Sequence, residues 1–185
     1  LNENGVEVVA DLPGVGENLH DHLQVRIIYK VDNTVTLNQR ARTLFGKARM
    51  ALEYAAFRSG PMTMPPSQLG AFAKSDPDQP SANIEWHVQP LSLGKVGKPP
   101  HTVAAITPSV CNRRPASRGH VRIKSARADD YPAIAPNYLT AESDVQVAID
   151  GIRFTRKIMQ SAPLARFNPR EWKPGPELVT DEQLR

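Results

Sequence analysis

Proline sets the tightest limit on what this chain can fold into. It occupies 17 of 185 positions, about 9 % against a usual ~5 %. Each ring fixes φ and removes a backbone donor, so it interrupts helices and central strands alike. Together with 11 glycines, the prolines predict many short elements joined by set turns rather than a helical bundle. The chain is long enough for one domain with a real core, or for two small ones. With 40% hydrophobic and 23% charged residues, it is not a compositionally disordered tail. Cys111 is the single cysteine, which excludes an internal disulfide and a four-thiolate zinc site. No apolar run approaches the ~20 residues needed to cross a bilayer as a helix.

Hydrophobic spacing places the elements. Val25 to Val31 reads as a strand. Across 41–58, Leu44, Ala48, Ala51, Leu52 and Ala55 recur on one face of a helix that Gly60-Pro61 should end. Pro65-Pro66 begins a turn, and Leu69 to Ala73 is a weak strand. Ile84, Trp86 and Val88 alternate with Glu85 and His87, the period of a half-buried strand. The Gly/Pro/Lys stretch 94–100 is a flexible loop. Thr102 to Thr107 is a strand that Pro108 should confine to an edge or a bulge. Gly119 to Ser125 alternates with Val121 and Ile123 inward. The longest helix spans 141–161. Val145, Ile149, Ile152 and Met159 share one face and Val147, Phe154 and Ile158 lie nearly opposite, which predicts packing between two layers. This order predicts an α+β fold: a mixed, largely antiparallel sheet flanked by helices. Both ends read as interrupted elements. Gly5 looks like a helix C-cap leading into a strand through Val6, Val8 and Val9, and Thr180 to Gln183 like a capping box. The chain therefore reads as a stretch of a longer protein.

Few residues point to chemistry by type alone. His20-Asp21-His22 could form a metal corner. No third-ligand motif accompanies it, so loop histidines bonded to their neighbours are the simpler reading, and no metal is expected. Gly14-Val15-Gly16 opens like a dinucleotide fingerprint, but position 19 is Leu and no amphipathic helix follows. It reads instead as a tight turn bringing backbone N–H groups close to a partner. Arg113, Arg114, Arg118, Arg122, Lys124 and Arg127 cluster without an acid among them. Aromatic stacking residues are missing there, and the formal net charge is only +4, so a solvated strand face is expected and no nucleic acid. Cys111 has no Cys-x-x-Cys partner and reads as structural. Gln68, Phe72, Trp86 and His87 are candidates to line a pocket, with ordinary core packing as the alternative.

Several stretches, in order, resemble the glucose–methanol–choline (GMC) family of flavin-dependent alcohol oxidoreductases, especially its choline-dehydrogenase-like branch. Asp11 to His22 is similar to the family's "LPGVGxNLQDH" segment, with His20 in place of Gln. Gly60-Pro61-Met62-Thr63 is a second match. Arg114-Pro115-Ala116-Ser117-Arg118-Gly119 through Pro136-Asn137-Tyr138-Leu139 resembles "RPxSRGxVxLxSxDPxxxPxIDPNYL". Asp144, Gly151-Ile152-Arg153 and Arg156-Lys157-Ile158 continue it.

The resemblance implies FAD as cofactor and oxidation of a primary alcohol to an aldehyde, with hydride passing to the flavin while a His takes the hydroxyl proton. It implies that 1–24 is part of an FAD-covering segment and 25–185 a substrate-binding domain. Asn18, Asp21 and His22 then become cofactor-binding candidates. The family's FAD-binding glycine fingerprint and its "HPxGTxxMG" segment with the catalytic His are not among these residues. No catalytic residue is therefore assigned, and the isolated chain is expected neither to retain FAD nor to turn over alcohol. Gln68 stands where choline-oxidising members are expected to carry Glu, which points to an uncharged alcohol. A free-standing binding module of the same fold is the alternative function. The expected location is the cytoplasm or the periphery of a membrane.

Overall fold

The computed structural model describes residues 1–65, 67–95 and 97–185. Pro66 of the expected turn and Val96 of the expected loop lie outside them. The chain opens with a 3-10 turn, Asn2–Asn4, closed by Gly5 at φ 70. The strand expected at Val6 to Val9 does not form. That segment meets no partner strand, and Val9 is almost wholly exposed.

The strand expected at Val25 to Val31 is split into β1 (Gln24–Arg26) and β2 (Ile28–Lys30) around the fully buried Ile27. α1 (Leu37–Arg40) and α2 (Leu44–Phe57) follow, and a 3-10 turn at Pro61–Thr63 packs on α2. β3 (Leu69–Ala73), β4 (Ile84–Gln89) and β5 (Ala105–Asn112) form an antiparallel meander. β6 (His120–Arg122) and β7 (Ala133–Ala135) make a separate two-stranded ribbon. α3 (Glu142–Met159), α4 (Ala162–Ala165), β8 (Arg170–Lys173) and α5 (Asp181–Leu184) complete the chain. The main sheet runs β3-β4-β5-β2-β8, with β1 sharing β5's edge with β2.

Pro108 does not confine β5 to an edge, because the fold places its missing donor where no partner waits. Val31 N–H donates to Ala104 C=O, so residues 104, 106 and 108 turn their backbone groups toward β1 and β2. β2 pairs with Ala105 and Ile106, and β1 with Ser109, Val110 and Cys111. Pro108 falls at the break between them.

α3 lies across one face of the sheet. Ile27, Tyr29, Ile84, Trp86, Val110, Ile152 and Met159 form the core between them. Fully burying one such aliphatic side chain contributes roughly 1.5–3 kcal/mol. Gly151 allows the close approach, since a Cβ there would stand 3.0 Å from Val110 Cγ2. Among the described residues no second layer covers α3. Ile158 is exposed, and Phe154 instead reaches the same core, 5.1 Å from the Trp86 ring.

α2 starts at Thr43, whose hydroxyl accepts from Gly46 N–H. It ends at Arg58 in the left-handed region, before Gly60. Its expected apolar face is open to solvent, and no residue of the helix is buried.

The loop 12–22 is stapled to the β6 ribbon. Leu19 and Gly119 exchange both backbone hydrogen bonds, at 3.0 and 2.7 Å, and Val121 N–H donates to Gly16 C=O. Gly16 sits at φ 79, and a Cβ on it would lie 2.4 Å from Val121 O, so only glycine suits the position. The ribbon is shorter than the expected Gly119 to Ser125 strand, and Ile123 is left exposed rather than inward.

Candidate functional site

Strand parity divides the sheet into two chemically different faces. Ile84, Trp86 and Val110 point toward α3. The alternate residues point the other way, and the register sets them in rows across the strands. Phe72, Glu85, Cys111 and Gln24 form one row, and Gly70, His87, Ser109 and Arg26 the next. Gln68 continues the same parity, its N–H donating to Val88 C=O beside Gln89.

Glu85 is the hub of this face. Its Oε1 lies 3.1 Å from His87 Nε2 and its Oε2 3.4 Å from Arg113 Nε. The Arg113 guanidinium stacks 4.7 Å over the Phe72 ring. His22 Nε2 is 3.2 Å from Arg113 O, which brings the loop 12–22 against the same cluster. Cys111 is buried beneath it. Burial, reinforced by the Glu85 charge, pushes its thiol up to about 11, so it stays neutral at physiological pH. The Ser109 hydroxyl is buried and has no hydrogen-bond partner among the described residues.

The cofactor candidates sit at the rim. Asn18 is held at φ 60 with an exposed amide that has no partner among the described residues. Asp21 is engaged by the Tyr138 hydroxyl and by His22 N–H at 2.8 Å, which together hold its carboxyl below the usual range. His22 is bonded to both Asp21 and Arg113, while its neighbour His20 is exposed. Ligand atoms of His22, Glu85 and Cys111 lie within 4.8 Å of one another, a spacing compatible with a metal ion. Arg113 already supplies the counter-charge to Glu85, and His22 Nε2 already faces a carbonyl, so a cation would have to displace both.

Of the pocket candidates, Gln68, Phe72 and His87 share the open face. Trp86 lies on the other, with its indole N–H donating 2.8 Å to Thr155 Oγ1 in the core. The alternation of Ile84, Trp86 and Val88 with Glu85 and His87 carries the signal that separates adjacent Trp86 and His87. Glu85, Ser109 and Gln24 carried no mark of a site in the sequence and Arg113 stood out only as one of a basic run, because only strand pairing brings the four together.

The family model described as GMC oxidoreductase matches residues 115–184, the stretch that holds the β6 ribbon, α3 and the tail. An oxygen-dependent choline dehydrogenase of Paraburkholderia xenovorans is 36% identical over 184 residues, covering 100% of this chain and 33% of the relative.

Residues 115–184 carry the GMC oxidoreductase C-terminal domain.

An alcohol dehydrogenase (acceptor) of Pseudomonas putida is 32% identical over 185 residues, covering 100% of this chain and 33% of the relative. The chain thus spans about a third of the length of the curated relatives it matches. Solved structures share the fold. A Chaetomium thermophilum FAD-dependent oxidoreductase aligns with a TM-score of 0.79 at 23% identity, over 99% of this chain and 38% of that one. An Aspergillus oryzae formate oxidase variant aligns with a TM-score of 0.83 at 18% identity, over 99% and 37%. Among the described residues no helix is long and apolar enough to cross a membrane.

Proposed function

We propose that this chain provides the substrate-facing sheet of an FAD-dependent GMC oxidoreductase that converts a primary alcohol to an aldehyde. The observation that carries the reading is the polar face built from Glu85, His87, Arg113 and Ser109, opposite the face that α3 covers. The exposed, unpartnered Asn18 amide fits a polar ligand at the rim of that face, and the buried Ser109 hydroxyl lies beneath its centre. In that role the chemistry supplied by FAD is acceptance of hydride from the alcohol carbon. Asn18, Asp21 and His22 are the residues proposed to border it. Asp21 and His22 act chiefly by holding each other, Tyr138 and Arg113 in place. Residues 1–24 are proposed as part of the flavin cover and 25–185 as the substrate-binding domain. The location proposed is cytoplasmic or peripheral to a membrane.

The substrate proposed is an uncharged alcohol rather than choline. A carboxylate free to face it would favour a quaternary ammonium over a neutral alcohol. Glu85 is engaged by Arg113 and His87, and Gln68 is neutral. The test uses the full-length protein. Primary alcohols should bleach its flavin absorbance anaerobically and support dye-coupled oxidation. Failure of any alcohol to reduce bound flavin would reject the activity. Choline preferred about tenfold or more in kcat/KM, ~1.4 kcal/mol, would reject the substrate class alone.

A further inference from the structure

α2 carries an exposed apolar face that the fold leaves unpartnered. At about 100° per residue, Leu44, Phe45, Ala48, Ala51, Leu52 and Ala55 fall on one arc of the helix. Leu44 is 85% exposed, Phe45 79% and Leu52 68%. The half-buried residues Gly46, Met50, Glu53 and Tyr54 lie on the opposite side, toward the end of α1 and the 3-10 turn at Pro61–Thr63. Gly46 lets α2 rest there, since a Cβ at that position would lie 2.0 Å from Arg40 O.

The charges around this face are equally one-sided. Lys47 borders the apolar arc on one side and Arg49 on the other. Arg40, Arg42 and Arg58 stand at the two ends, and Glu53 is the single acid between residues 40 and 58. This segment therefore holds five cations against one anion, a net charge equal to the +4 of the whole chain. Arg113, Arg122, Arg127, Arg153, Arg156, Arg170 and Arg185 are each paired with an acid. Among the described residues none of the five cations around α2 is in an ion pair.

We propose that α2 docks the protein on an anionic phospholipid surface, lying in the interface with its apolar arc among the acyl chains. Charge complementarity selects this occupant: unpaired cations flank the apolar arc on both sides, where lipid phosphates would sit. The length agrees. The 14 residues of α2 extend about 21 Å, short of the ~30 Å hydrocarbon core, so the helix lies along the membrane rather than through it.

The experiment is vesicle co-sedimentation of the full-length protein, a readout independent of flavin and turnover. The protein should pellet with phosphatidylcholine vesicles containing about 30 % phosphatidylglycerol, not with phosphatidylcholine alone. Raising salt from about 0.05 to about 0.5 M should release it. Leu52→Ser with Phe45→Ser, and separately Lys47→Glu with Arg49→Glu, should each weaken partitioning at least ~tenfold. These side chains are exposed, so an unchanged Tm establishes that the variants fold. Equal pelleting with both vesicle types, or none with either, overturns the proposal. So does protection of a Leu52→Cys variant from maleimide without vesicles, because the remainder of the protein or a second copy would then cover the face.

Discussion

The Trp86 indole N–H donates to Thr155 Oγ1 across 2.8 Å, joining the centre of β4 to the middle of α3 in the driest part of the core. Thr155 Oγ1 in turn donates to Gly151 C=O one turn back, at 2.7 Å. Both side chains are buried. Thr155→Val keeps the shape and removes the acceptor, leaving that N–H buried and unsatisfied. Chemical denaturation should register a loss of about 1–3 kcal/mol, with an unchanged m-value.

Asp144 gives the fold a defined acid sensitivity. Its carboxylate accepts from Ala116 N–H and Ser117 N–H, both at 2.8 Å, from the Ser117 hydroxyl, and from Asn112 at 3.1 Å. Burial raises its pKa, but the Ser117 hydroxyl and the two amides outweigh burial, so the folded value lies below the ordinary one. The stabilisation is therefore complete above the unfolded value of ~3.9 and is lost as pH falls through the folded value. Asp144→Asn should lower stability at pH 7 and flatten the pH dependence of Tm below pH ~4. An unaltered acid limb would count against this role.

Arg156 ties the tail to the sheet. Its guanidinium makes a two-pronged pair with Glu171, at 2.8 and 2.9 Å, and donates to the carbonyls of Leu178 and Gly175. Removing one partner of a buried pair strands the other, at a cost of about 3–5 kcal/mol. Arg156→Ala should destabilise to that extent and open the segment after β8 to limited proteolysis.

Gly16 and Val121 O approach too closely for any side chain. Gly16→Ala should push the loop 12–22 off the β6 ribbon. Faster amide exchange at Leu19, Gly119 and Val121 is the expected sign, with the main sheet unaffected.

Gln68→Glu tests the substrate reading. A carboxylate introduced on the open face should shift the kcat/KM ratio toward choline over neutral alcohols by about tenfold, ~1.4 kcal/mol. Steady-state kinetics of the full-length variant measures it.

Local patterns were legible where local forces act. The capping box at Thr180 and Gln183 forms as its spacing requires, as does the left-handed cap at Gly5. β4 follows the two-residue period of its side chains, and β3 forms over the expected Leu69 to Ala73. Pro108 was misread because a missing donor weakens a strand only if a partner faces it. The apolar face of α2 suggested burial, but periodicity reports only that apolar residues share a face. Whether anything covers that face depends on elements distant in sequence.

The candidate site divides along the same line. Sequence by itself determined the α+β class, the resemblance to the GMC family, and the identity of the loop that carries Asn18, Asp21 and His22. It did so because these depend on residue type and near-neighbour spacing. The alternation in β4 already set His87 and Trp86 on opposite faces, but only the tertiary structure decided that α3 covers the Trp86 face and that Glu85 draws together His87, Arg113, Phe72 and His22. The reason is physical. The cluster joins β3, β4, the end of β5 and the loop before β1 through pairings up to 91 positions apart. Such contacts depend on which distant strands pair, a choice that no single segment's pattern makes.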